Sequence, residues 1–559
     1  TRRAAAALLG LLVACTSAST GDNIGPLQNG PPAIASVRDG LDADADVQES
    51  RTTLFANWDP FVDPESLPVS YEWCIGTSPG TGDVQEWTSV GGATHAATSG
   101  VTLPAGVTLF VSVRAGDIAG NRSAVSTSNG IVVGVANQPR SSRNRTEPPA
   151  VAPGQSLAVK RFGTTWTFDR AVPCGRYVNG DWWVVGPVNI VAIEPRCRED
   201  DGRTRHGSMI NPDPSTQRQG YDSTMLSDGA PSYEPSANVA LGVSAQKPLR
   251  LVPGSSLVSS TSHVAATNLP QLETCEVLTC VAEPVPEGAF RPPYCGTDKT
   301  SRWVAGKLGL HRLARLEAPE GAPAPNDLLE RFERTWLDHV PGWTGRALHP
   351  SKNMPDYGRD IADLVGRAAL VLQLDFPDEQ KRALAIAMVQ IGIDLFGIAQ
   401  SGGSFRADGS SGSGRKFPVL LAAALLQDAQ LLACAREAAF AEDAQTFYVA
   451  ETTPGVYNRG CGGYGAEDVG LPEWGNHHAD DPSSDTKSWT GDPFRRCCTA
   501  NVWHGFVLAT RIMGLREDWG HEALFDYVDR YMQVEPNGTW TRSFSPFAER
   551  MWDRYRASY

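Results

Sequence analysis

The chain has 559 residues, which at ordinary domain size corresponds to roughly three or four domains. Its 41% hydrophobic and 20% charged residues are those of globular material with ample core. A formal net charge of −14 argues against a general nucleic-acid binder, yet it is compatible with a local basic cleft for a neutral or acidic sugar polymer.

Residues 1–15 open with Thr1, Arg2 and Arg3, continue through an apolar run and close on Leu12, Val13, Ala14 and Cys15. A basic start, a short apolar core and small residues make up a secretory signal. The run is too short to span a bilayer as a helix. Leu-Val-Ala-Cys resembles a bacterial lipobox. That resemblance implies that Cys15 is lipidated, that the mature protein is exported to the cell envelope, and that it meets membrane only through this anchor. Residues 16–32, rich in Gly, Ser, Asn and Pro, read as a flexible tether.

Residues 33–135 alternate short strands with turn signals, clearest at 70–75 and 108–115. The run 111–123 resembles the late strands of a fibronectin type III module, and 71–77 resembles an earlier strand of bacterial versions. The resemblance implies a sandwich over about 100 residues, acting as spacer or docking module, and says nothing of activity. Residues 136–155, with Pro, Ser, Asn and Arg, are a second linker. Residues 156–300 are β-rich, with aromatic and β-branched runs at 166–168 and 182–185 punctuated by Gly175, Gly180, Gly186 and Gly202. A second sandwich is expected there, or a β-domain packed on the segment C-terminal to it.

After Pro325 the period becomes helical. Asn326 and Asp327 suit a helix start. Ile361, Leu364, Val365, Ala368 and Leu372 share one face within 356–373. Residues 378–397 are apolar nearly all round, as in a buried helix. Residues 418–440, 499–514, 518–532 and 544–556 also read as helices. The fold class is therefore multidomain: an all-β fibronectin type III-like sandwich, a central β-rich domain, and an all-α domain over 320–559. A Gly- and aromatic-rich stretch at 443–498 lacks period and is read as functional.

Eleven cysteines fit an oxidising compartment. Cys275 with Cys280, and Cys174 with Cys197, are candidate bridges, though sequence alone does not fix pairing. Cys497 and Cys498 are neighbours; a bond between them closes a strained ring, so pairing elsewhere, for one of them with Cys461, is expected.

Polar clusters in the helical half carry the candidate chemistry. Asn353, Tyr357, Arg359 and Asp360 open a helix, with Tyr357 and Asp360 three apart on one face. Arg415 and Lys416 follow a Gly-Ser loop whose free N–H groups suit a carboxylate or sulfate. Glu467, Asp468, Glu473, Trp474, His477, His478, Asp480 and Asp481 bring carboxylates beside the natural proton carrier near neutral pH. Arg495 and Arg496 precede a helix and could hold an anion. In the β-rich part, His206 sits in a polar turn with Arg203, Arg205 and Asn211. No cofactor is expected. A divalent metal on His477 or His478 with Asp480 or Glu473 lacks a ligand-spacing signature.

A tethered β-domain joined to an all-α domain is similar in layout to secreted polysaccharide lyases and glycoside hydrolases built on α/α toroids, although 320–559 is short for a complete toroid. The layout implies a polysaccharide substrate. β-Elimination needs a cation or amide on the uronate carboxylate and a Tyr or His for the proton. Tyr357, His477 and His478 would serve the proton, and Asn353, Arg359, Arg415, Lys416, Arg496, Trp474 and His206 would bind sugar. Hydrolysis would instead use two carboxylates among Asp360, Glu467, Asp468 and Glu473. The wealth of Arg, Lys, Tyr and His favours the lyase, and a non-enzymatic glycan-binding lipoprotein is the alternative of a different class.

Overall fold

The computed structural model describes residues 32, 35–40, 47–48, 51–61, 70–99, 101–117, 121–133, 154–200, 202–224, 232–263, 272–340, 342–451, 466–475 and 494–559. The leader with Cys15, nearly all of the tether and of the second linker, and Cys461, His477, His478, Asp480 and Asp481 lie outside the described residues. The chain divides into two compact units, Thr1–Asn144 and Arg145–Tyr559.

In the first unit, period-2 alternation sets the fold. Along Thr53–Trp58 the residues Leu54, Ala56 and Trp58 turn inward. That strand lies between Val37–Asp39 and His95–Ser99 in one sheet. The second sheet runs Val47–Gln48, Ile131–Val133, Thr108–Gly116, Ser70–Gly76, Gln85–Gly91, with Ser126–Thr127 beside Thr108–Gly116. Ser70–Gly76 and Thr108–Gly116 pair antiparallel, with Trp73 opposite Val113. Both sheets contribute to one core that includes Leu54, Trp58, Trp73 and Val113. The expected strands at 70–75 and 108–115 are therefore present, in a two-sheet arrangement.

The second unit contains both the β-rich segment and the helices. Among the described residues, eight of its strands form one sheet, with three two-stranded sheets besides, rather than a second two-sheet sandwich. Leu272–Val281 is an interior strand, pairing antiparallel with Ser255–Ser262 and parallel with Trp182–Val185. The two faces are distinct. Cys275 and Val277 pack into the core shared with the helices, and Leu278 and Cys280 pack into a separate cluster with Trp166 and Ile190. The sheet curls enough for Trp166 in Thr164–Arg176 to donate its indole N–H to Ser259 Oγ, three strands away, at 3.0 Å.

This alternation also decides the cysteine chemistry. Cys275 and Cys280 are five apart in one strand, so they face opposite sides and cannot bridge. They and Cys174 and Cys197 are free and buried. Burial pushes the Cys280 thiol up to about 12. Cys497 and Cys498, contrary to expectation, bond to each other.

The helical half comprises Pro325–Phe332, Gly358–Val371, Asp378–Gln400, Lys416–Leu426, Ala429–Glu437, Ala500–Ile512, Glu522–Val534 and Pro546–Tyr555, with shorter turns between. The expected helix 418–440 is two helices, broken where Gln427 adopts a left-handed φ of 54°. Asp378–Gln400 is the one described helix long and apolar enough to cross a membrane, and 83% of that window is buried inside the protein, the position of a core helix. Its Asp394 holds the two halves of this unit together. Arg291, fully buried, lies between Asp394 and Asp181 of the sheet half, with Nη2–Oδ2 and Nε–Oδ2 contacts of 2.5 Å each.

One glycine crossing brings two helix starts side by side. Gly366 of Gly358–Val371 meets Gly505 of Ala500–Ile512. A Cβ on Gly505 would stand 2.9 Å from Gly366 Cα. The missing side chains let the two helices touch, and between their starts Arg359 Nη1 reaches the Cys497 carbonyl.

Candidate functional site

Two helix starts and one turn meet around Arg359. Tyr357 is extended at the N-cap of Gly358–Val371, and Gly358 packs so closely on the 409–414 loop that a Cβ there would stand 1.7 Å from Ser410 O. Arg359 and Asp360 follow in the first helical turn. The Arg359 guanidinium lies 4.4 Å from the Phe544 ring centroid, 5.2 Å from that of Tyr357 and 5.8 Å from that of Trp540. Each is within cation–π range. Its Nε donates to Asp360 Oδ1 at 2.7 Å, and its Nη1 donates to the Cys497 carbonyl at 3.1 Å.

The neighbouring helix start is a single π-helical turn, Arg495–Thr499, running into Ala500–Ile512. Such turns recur at functional sites. Arg495 is fully buried and pairs with Glu473 at 2.6 Å, and Arg496 pairs with Glu535 at 2.9 Å. The disulfide Cys497–Cys498 lies between these pins and Thr499, half-buried. Asn501 ties in the third segment. Its carbonyl accepts from Phe544 N–H at 3.0 Å, and its Nδ2 donates to Trp540 O at 3.4 Å. Trp540 is 48% exposed, with its ring 6.2 Å from Phe544.

Chemically, the surface offers a flat indole, a phenol and a guanidinium with N–H groups to spare. Five donors exist on an arginine, and its Nε, Nη1 and Nη2 each hold one partner contact here. The Tyr357 hydroxyl makes no hydrogen bond among the described residues. The N-terminal ends of two helices add partial positive charge. The set can meet an apolar ring face and an anionic group side by side.

Tyr357, Arg359 and Asp360 lie together at the start of Gly358–Val371, and Arg496 lies in the adjoining π-helical turn, paired with Glu535. Other expected residues have different surroundings. Glu473 is buried between Arg495 and Arg530, its carboxylate committed to both, and Trp474 is 1% exposed against Arg495. Arg415 is buried on Asp338, contacting it at 2.7 Å, and so cannot meet a substrate carboxylate. Burial acts to raise the Asp338 carboxyl, but Arg415 and His349 override it and bring it down to about 2. Lys416 is buried on Asp443 beneath Trp519. Asn353 is fully buried, with Nδ2 donating to the Thr335 and Arg334 carbonyls. His206 is buried in the β-rich half, its Nδ1 accepting from Ser262 N–H at 3.1 Å, and burial lowers its pKa. Glu467 and Asp468 lie in a short turn over Ala466–Asp468.

No cluster of three or more His, Cys, Asp or Glu able to hold a metal occurs among the described residues. Trp540, Phe544 and the Cys497–Cys498 bond were not singled out from sequence. The one available signal was an aromatic residue just after the Asn537-Gly538 turn, with no way to know which helix start it would face.

No protein-family model matches the chain. No curated protein matches it either. Among solved structures, the chain is similar to titin module A71 from human cardiac muscle, at 20% identity over 18% of this chain and 90% of that one, TM-score 0.13. It is similar to a fibronectin type III domain derived from human KIAA0970 protein, at 17% identity over 22% and 85%, TM-score 0.13. It is also similar to the chicken CNTN1 FN1-FN3 domains, at 13% identity over 45% and 67%, TM-score 0.14. Fibronectin type III-like folds are thus matched over limited parts of the chain.

Proposed function

We propose that this protein is an exported, lipid-anchored enzyme that cleaves a uronic-acid-containing polysaccharide by β-elimination at the Tyr357–Arg359–Trp540 surface. The observation that carries the reading is the Arg359 guanidinium, ringed by Tyr357, Phe544 and Trp540 and still holding spare N–H groups. Arg359 would neutralise the uronate carboxylate and so acidify the C5 proton. The Tyr357 oxygen, as phenolate, would take that proton and, as phenol, return it to the departing oxygen as the C4–O bond breaks and a C4–C5 double bond forms. Trp540 would stack on a neighbouring sugar ring. Export and anchoring rest on residues 1–15, by their likeness to a signal with a lipobox.

Hydrolysis fits the surface less well. Asp360 is paired with Arg359 and Glu535 with Arg496, which commits both carboxylates to arginines. That same pairing favours a second reading, in which the surface binds acidic glycan without turnover.

The test is incubation with a panel of polyuronates while the ultraviolet absorbance of an unsaturated uronate is followed. A rise that Tyr357→Phe abolishes supports elimination. Binding by calorimetry with no rise supports the binding protein. New reducing ends without absorbance would move the chemistry to hydrolysis.

A further inference from the structure

The Cys497–Cys498 bond stands at the point where Arg359 is held. Among the described cysteines it is the one disulfide; Cys74, Cys174, Cys197, Cys275, Cys280, Cys295 and Cys434 are free and buried. The free cysteines line cores where a thiol is a small inert hydrophobe. The bonded pair instead sits half-buried in a turn that touches the candidate site.

The π-helical turn is pinned on its first two residues. Arg495 is locked to buried Glu473, and Arg496 to Glu535, whose side chain is 3% exposed. On its far side, Thr499 Oγ1 donates to the Phe494 carbonyl at 3.2 Å. The middle of the turn is closed by the disulfide. Within that middle, the Cys497 carbonyl accepts from Arg359 Nη1. An α-helical turn would direct its carbonyls along the helix axis to residues four ahead. Here the Cys497 carbonyl meets a guanidinium, Arg359 Nη1, at 3.1 Å. The covalent link between adjacent side chains removes the rotamer freedom through which the turn could relax.

We infer that Cys497–Cys498 is a thiol-sensitive positioning element: closed, it holds Arg359 in place to receive an anionic sugar, and opened by a dithiol reductant, it releases that arginine and weakens acidic-glycan binding. The step balances. A thiolate of the dithiol attacks one cysteine sulfur, the Cys497–Cys498 bond breaks, and a mixed disulfide forms. The second thiol of the reductant then displaces that cysteine, so the dithiol becomes a disulfide and both cysteines end as thiols, carrying two electrons and two protons from the reductant. Partial exposure gives the attacking thiolate access that the buried cysteines lack. This inference rests on the reading of the surface as an acidic-glycan site for its consequence, and on the turn geometry for its mechanism.

The full chain is prepared oxidised, treated with dithiothreitol, and as the Cys497→Ser/Cys498→Ser variant. Peptide mapping without reduction should find Cys497 and Cys498 in one peptide lacking two hydrogens. A cross-link from either to Cys461 overturns the inference. Hydrogen exchange is then read over 357–361 and 540–545. Faster exchange there on reduction and in the variant, with the thermal midpoint unchanged, supports the positioning role. Identical exchange with the bond shown broken refutes it. Calorimetry with a polygalacturonate oligosaccharide gives the consequence. An affinity loss of about tenfold on reduction is expected, one charge-assisted contact's worth, and equal affinity in both states overturns the inference. If the oxidised protein does not bind the oligosaccharide at all, the glycan reading fails, and exchange alone still decides the positioning role.

Discussion

Replacing Asp394 by Ala should cost the second unit about 4 kcal/mol, because it leaves the Arg291 guanidinium buried with half its charge compensation. Arg291 is 0% exposed and Asp394 2%. The substitution removes two charge-assisted contacts, Nη1–Oδ1 at 2.9 Å and Nη2–Oδ2 at 2.5 Å, and an acceptor for Tyr294 N–H at 3.2 Å. At about 1.5–3 kcal/mol for each charged contact and about 1 for the neutral one, the gross loss is roughly 4–7 kcal/mol. Asp181 keeps Arg291 partly compensated through Nε at 2.5 Å, which places the expectation at the lower end. The assay is urea unfolding at constant slope, followed by far-ultraviolet circular dichroism. Asp375→Ala is the control, because its partner Arg315 and Asp375 itself are more than half exposed, and the midpoint should not move. An Asp394→Leu/Arg291→Met pair should recover part of the loss, since the buried guanidinium is gone and Asp181, which also loses Arg291, keeps Arg161 at 2.7 Å. The reasoning fails if Asp394→Ala behaves like the control, or if the double variant is no better than the single.

Burial pushes the Glu442 carboxyl up from 4.5 to about 7, so its folded pKa lies above its unfolded one. Its stability contribution is complete below pH about 4.5 and is lost as pH rises through about 7, an effect of roughly 3 kcal/mol. Glu442→Gln should therefore flatten the pH dependence of the urea midpoint between pH about 5 and about 8, and parallel profiles would sink the assignment. Gly505→Ala forces a methyl to within 2.9 Å of Gly366 Cα and should lower stability by about 1–3 kcal/mol, read by thermal melting; an unchanged midpoint would mean the crossing opens freely. Arg359→Ala should weaken binding of an acidic oligosaccharide about tenfold or more while leaving a neutral one unaffected, whereas equal loss for both would point to a packing role. Trp540→Ala should weaken either sugar by about 1 kcal/mol with no change in melting.

Patterns of short range were legible in the chain. Strand alternation at 70–75 and 108–115, the helical face at 361–372 and the all-round apolar 378–397 depend on neighbours two to four residues apart, and all reappear in the elements seen. The grouping of Tyr357, Arg359 and Asp360 was legible for the same reason. The fate of Arg415, Lys416 and Glu473 was not. A cation or carboxylate in a Gly-rich stretch has the same local signature whether it faces solvent or a buried partner, and Asp338, Asp443 and Arg495 are its partners from other segments. Even the cysteine pairing turned on such a fact: the strand parity that separates Cys275 from Cys280 is local, but one must first know that both lie in one strand.

The type and order of the elements are thus a property of the chain alone, because side-chain periodicity needs only a few consecutive residues. Which polar groups are spent on one another, and which are left for a ligand, depended on segments far apart in sequence coming together. Tyr357, Arg359, Cys497 and Trp540 meet because two glycines, Gly366 and Gly505, let their helices cross in contact, and because Asn501 draws the 540–544 turn onto that crossing. Burial then sorts the charges: an ion that finds a partner inside is retained there, since separating the pair would strand a charge in a medium that cannot solvate it.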